Sequence, residues 1–125
     1  MAQNFTAMTL SAATNGAPIK IAATATAGTT IHTATSSDMP EGCDEVYLWA
    51  GSTSSAAINA TLQISSGNVT DGQSINFRVP AAYNGPIMIL AGHRIADGVV
   101  ITATAATAER VNIWGHVNRI SGQGT

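Results

Sequence analysis

A chain of 125 residues and 12.7 kDa is the size of one ordinary domain, and with 45% hydrophobic residues it can fill a core. Only 10% of its residues are charged, against about 25% in an average soluble protein. A net charge of −2 leaves no electrostatic footprint for nucleic acid or an anionic membrane, and no apolar run reaches the roughly 20 residues that span a bilayer.

Taken in chain order, residues 1–14 read as an N-terminal arm with neither the basic start nor the apolar stretch of a signal peptide, which points to synthesis in a cytoplasm. The single domain that follows alternates with period two almost throughout, and eight strands are predicted: 19–25, 29–35, 45–50, 58–65, 74–79, 87–91, 99–105 and 111–118. The clearest is 58–65, where Ile58, Ala60, Leu62 and Ile64 share one face and Asn59, Thr61, Gln63 and Ser65 the other. Ile75, Phe77 and Val79 repeat the pattern before Pro80, which has no N–H to give to a ladder. Segments 46–49 and 87–90 are apolar on both faces and read as central strands or as strands covered at an interface. Gly, Asn, Asp and Pro cluster between the segments, as at Asn15-Gly16, Asp71-Gly72, Asn84-Gly85-Pro86 and Asp97-Gly98, where the chain must reverse. Short Ala-rich stretches at 11–13 and 103–108 are too interrupted by Thr to nucleate helices. The pattern predicts an all-β antiparallel sandwich of about eight strands, jelly-roll-like, with a flexible tail at 121–125.

Chemistry-bearing motifs are few. His32, His93 and His116 stand in no metal-ligand spacing, and His32 and His116 read as satisfied surface or interface side chains. Ser, His and Asp are all present, but no Gly-x-Ser-x-Gly elbow is. Cys43, alone and flanked by acids, should have a raised thiol pKa, the wrong direction for a reactive thiolate. Asp38, Glu41, Asp44 and Glu45 put four of the seven acids into one turn-rich segment. Calcium favours such clustered oxygens, but the spacing is not that of an EF-hand. A solvated loop, or a cluster that meets basic groups of a neighbouring subunit, are the other readings. Tyr47, Trp49, Tyr83 and Trp114 could stack sugars or fill a core or interface. No cofactor and no catalytic residue is expected, so the chain does not read as an enzyme. A surface this poor in charge suits a protein whose exterior is largely covered by copies of itself or by another protein.

Two stretches carry a resemblance. Asp44-Glu45-Val46-Tyr47-Leu48-Trp49-Ala50-Gly51-Ser52-Thr53 and Val111-Asn112-Ile113-Trp114-Gly115-His116-Val117-Asn118-Arg119-Ile120 are similar to strands of the head decoration, or cement, proteins of tailed bacteriophages, with His116 where an aromatic would be expected. The likeness extends loosely over residues 15–120. It implies a virion protein on the outer capsid surface, made in the bacterial host cytoplasm, that ties neighbouring major capsid subunits together. It also implies a homo-oligomer, a trimer by preference, and no catalytic machinery. The residues expected at an interface are Asp38, Glu41, Asp44, Glu45, Tyr47, Trp49, Trp114, His116 and Arg119. The alternatives are another virion component (tail, turret or head–tail protein) or a carbohydrate-binding sandwich module with Trp49 or Trp114 as its platform.

Overall fold

The computed structural model describes residues 4–25, 28–34, 42–65 and 73–121. They form nine strands: β1 (Asn4–Met8), β2 (Ile19–Lys20), β3 (Thr29–Thr33), β4 (Cys43–Ser52), β5 (Ile58–Ser65), β6 (Gln73–Val79), β7 (Ile87–Ile95), β8 (Val100–Ala105) and β9 (Val111–Ser121). One sheet has the order β1-β9-β4-β7, with β2 also paired to β9, and the other has the order β3-β8-β5-β6. Every pairing is antiparallel.

The order has a simple logic. Strands β1 and β2 pair with β9, β3 with β8, β4 with β7 and β5 with β6. The chain therefore runs out and back as one long hairpin whose successive pairs fall alternately in the two sheets. The ladders β4–β9 and β5–β8 then join those pairs side by side. This is the jelly roll, the double-sheet arrangement the sequence pattern predicts.

Alternation places the core. In β4 the residues Asp44, Val46, Leu48 and Ala50 point inward and are fully buried, and Ile113 and Val117 of β9 join them. The facing sheet contributes Ile31, Ile58, Ala60, Leu62, Ile101 and Ala103, and Leu10 and Ile21, which follow β1 and β2 in the chain, are buried in the same cluster. Leu62 is buried as its alternation requires, and Phe77 packs partly against the core, whereas Ile75 is 38% exposed because β6 is an edge strand.

Several elements differ from the sequence expectation. Strand β5 matches residue for residue, but the arm contributes β1, whose Asn4 pairs with Ser121, a residue expected in a mobile tail. The strand expected at 19–25 stops at Lys20. There the Thr29 hydroxyl accepts the backbone N–H groups of Ala22 and Ala23 and draws them into a loop. β7 runs past Ala91 to Ile95 because Gly92, at φ +78°, is an extra residue in the β4–β7 ladder, and Ile89 is a second. β7 is also an edge strand rather than a central one, and its bulges blunt that edge.

Candidate functional site

The two neighbouring acids at the start of β4 have opposite fates. Glu45 points outward, whereas Asp44 is turned into the sandwich and fully buried. Asp44 is therefore no surface group awaiting a neighbouring subunit. It accepts two hydrogen bonds from Arg119 of its own chain, Nε to Oδ1 at 2.8 Å and Nη2 to Oδ2 at 2.9 Å. This two-pronged geometry is the strongest a carboxylate can find, and it compensates the burial of the charge. His32 Nε2 donates to the same Oδ2 at 2.8 Å, and His32 Nδ1 accepts the Ser11 backbone N–H at 3.0 Å. The backbone N–H thus fixes the imidazole tautomer, with its proton on Nε2. His32 is 1% exposed, which corrects its expected place on the surface. The residue types Ser11, His32 and Asp44 resemble a catalytic triad, but the geometry does not. Ser11 Oγ accepts from the Thr33 N–H, and it is the Ser11 backbone N–H, not the hydroxyl, that meets the imidazole. The cluster works as a strut between the arm, β3, β4 and β9. Its hydrogen bonds to Asp44 raise the Arg119 pKa above the ordinary guanidinium value.

Cys43 opens β4 and is buried against Ala96 and Ile120. Burial raises its thiol pKa, with Glu45 and Asp44 adding to the shift and Arg94 opposing it, so loss of water outweighs the flanking acids. Asp38 and Glu41 lie outside the described residues.

The outer face of the β1-β9-β4-β7 sheet carries the remaining expected residues. Register places Glu45 beside Asn118 and Arg94, Tyr47 beside His116, and Trp49 beside Trp114 and Met88. The rings lean on one another. Tyr47 and His116 stack at 4.9 Å with 16° between planes, and Trp49 meets His116 at 5.9 Å and 31°. Glycines make room at the ends of this row. The Trp114 ring lies over Gly51, where a Cβ would come within 3.0 Å of it, and the Tyr47 ring crosses Gly92. Gly115 is required for a different reason, since any Cβ there would collide with the Tyr47 backbone carbonyl. The Tyr47 hydroxyl donates to Glu45 Oε1 at 2.8 Å, and Arg94 Nε donates to Glu45 Oε2 at 3.1 Å. Glu45 is held below the ordinary carboxylate range, first by the Tyr47 hydroxyl and then by Arg94, and Tyr47 is shifted upward by the same bond.

The face thus has a self-paired polar end at Glu45 and Arg94 and an aromatic remainder. Met88 is 46% exposed beside it, and Phe5 on β1 is 66% exposed. Sequence reasoning did not single out Phe5 or Arg94, and it took Met88 only as part of the doubly apolar segment 87–90. The period-two parity of β7 would have found Met88, but the two bulges break that parity.

The outer face of the β3-β8-β5-β6 sheet is different in kind. Asn59, Thr61, Asn76, Arg78 and Thr104 line a shallow open groove, with Thr61 Oγ1 donating to Asn76 Oδ1 at 2.9 Å and Arg78 Nη1 to Asn59 Oδ1 at 3.3 Å. No family model, curated protein or solved structure matches the chain. Fold and surface together define a jelly-roll sandwich with one aromatic and one polar outer face.

Proposed function

We propose that this chain is a structural protein of a phage virion that decorates the outer capsid surface and reinforces contacts between major capsid subunits. The observation that carries the reading is the row Tyr47, His116, Trp49 and Trp114 on the outside of a sheet whose inside already serves the core. A two-layer sandwich needs one apolar face per sheet, so a second asks for a covering. Aromatic rings flanked by a satisfied polar pair have the composition of an interface centre with a polar rim. The low charge of the chain and its resemblance to cement proteins supply the capsid as the covering.

A contact of this type is led by apolar area and hydrogen bonds. The protein should therefore stay on particles at about 0.5 M salt, where the Debye length is only a few ångströms. Sedimentation of particles across a salt series tests this, and release as salt rises would reject the aromatic contact. Cryo-electron microscopy of the native particle separates capsid decoration from a tail, turret or head–tail role.

Binding of a carbohydrate is the second reading, and the polar groove favours it more than the rings do. His116 has Tyr47 stacked on it and Trp49 leaning against it, whereas Asn59, Asn76 and Thr104 offer amides and hydroxyls suited to sugar hydroxyls. Glycan-array binding by the isolated protein tests that reading.

A further inference from the structure

The four sheet edges are not protected alike. β7 carries two bulges, β3 is five residues long with a register shift between Thr30 and His32, and β1 is five residues long. Each of these is a known way to blunt an edge. β6 has none of them. It pairs with β5 in unbroken register from Ile58–Val79 to Ile64–Gln73, seven residues in all, and it ends its sheet. Among the described residues, no other backbone hydrogen bond reaches it. In an antiparallel ladder alternate residues of an edge strand point their N–H and C=O groups away from the sheet. The apolar row of this edge is also incomplete. Val79 is buried and Phe77 partly covered, but Ile75 is 38% exposed, and Arg78 is the strand's one charge.

From this edge we infer that β6 is the dimerisation strand of the protein, pairing antiparallel with β6 of a second copy to make one continuous eight-stranded sheet. An extended backbone is what satisfies open strand groups, and the sequence of β6 is complementary to itself. Same-face pairing requires residues of like parity to meet, and full overlap of Gln73–Val79 centres the two-fold axis on Asn76. In that register Ile75 lies opposite Phe77 of the second copy, completing the apolar row on both sides. Arg78 lies opposite Ser74 of the second copy, so no like charges meet. A two-residue shift toward the C-terminal end would leave Arg78 facing Asn76 of the second copy and shorten the overlap. One more such shift would set the two Arg78 side chains against each other. This pairing is independent of what covers the aromatic face, which belongs to the other sheet.

The test uses the full chain. Sedimentation equilibrium at micromolar concentration should give a dimer, and Ile75→Lys should raise its dissociation constant at least about tenfold by placing a charge in the apolar row. Asn76→Cys, on the outer face, sets two thiols opposite each other with Cβ atoms about 5 Å apart, and mild oxidation should link two chains. Ser74→Cys places its thiols roughly 13 Å apart and should not link. The unmodified chain, whose Cys43 is buried, is the control. A monomer at all concentrations, a dimer or trimer indifferent to Ile75→Lys, or linking through position 74 rather than 76 would each overturn the inference. Should Ile75→Lys fail to fold, the cysteine pair still decides.

Discussion

Strands β4 and β5 follow one another in the chain, sit in the middle of their respective sheets and contribute equally to the core, yet their outer faces have little in common. Outside Leu62 and Ala60, β5 shows Asn59, Thr61 and Gln63, and it bonds these to Arg78, Asn76 and Ser74 of β6. Outside Val46 and Leu48, β4 shows Tyr47 and Trp49, and it surrounds them with rings. The jelly roll constrains only the inner faces, so the outer ones are free to differ. The difference puts an aromatic surface on the first sheet and a hydrogen-bonded polar one on the second.

Asp44 is the one charge on the inner face of either strand. Asp44→Ala would leave the Arg119 guanidinium and the His32 Nε2–H without their acceptor in the interior, and should cost about 3–5 kcal/mol in chemical denaturation. A loss no larger than that of a surface substitution would show that the cluster is not a strut.

Next comes the core beneath the polar face. Leu62→Ala should cost about 2–5 kcal/mol, whereas Thr61→Ala, one residue away on the wet face, should cost less than about 1 kcal/mol. Equal effects would mean that the register of β5 is wrong.

A substitution on the aromatic face should reverse the ranking of stability and binding. Trp49→Ala should destabilise the fold less than Leu62→Ala but weaken particle attachment roughly thirtyfold, the effect of truncating an interface anchor. Thr61→Ala should leave attachment unchanged, and particle sedimentation measures both.

The smallest effect lies at the polar end of the same face. Because its folded pKa is depressed, Glu45 contributes stability above its unfolded value near 4.3, and this is lost as pH falls through the folded value. Tyr47, shifted upward, contributes stability that is intact below its unfolded value near 10 and lost as pH rises through the folded one. A single hydrogen bond underlies both shifts. Tyr47→Phe should therefore move Glu45 back toward the ordinary range, seen in its carboxyl carbon-13 titration. The stability difference from the parent should peak between these limits and fade at either extreme of pH.

Strand β5 was legible to the residue because its alternation is strict and its loops carry turn residues. β4 was legible in kind but not in detail. An alternation rule assigns acids to water, and only the folded chain shows that Arg119, 75 positions away, makes an interior Asp44 tolerable. Its aromatic neighbours Tyr47, Trp49, Trp114 and His116 were found through residue type, and the strand register brings them together. The arm gave little sign of β1, since its alternation, Asn4-Phe5-Thr6-Ala7, is only four residues long and its order comes from pairing with β9. The strand expected at 87–91 stops short of Gly92, which in the fold is a bulge with positive φ that carries β7 on to Ile95.

The nesting of strand pairs also has a consequence for synthesis. β9 leaves the ribosome after the other eight described strands, yet it occupies the interior of its sheet, between β4 on one side and β1 and β2 on the other. Until Val111–Ser121 emerges, β4 has an open edge and β1 and β2 have no strand to join. The opposite sheet needs nothing beyond Ala105 and can close first. The sandwich is therefore completed from its all-polar side toward its aromatic side, and a nascent chain halted before Val111 would carry Tyr47 and Trp49 on an unfinished sheet, a substrate for chaperones rather than for assembly.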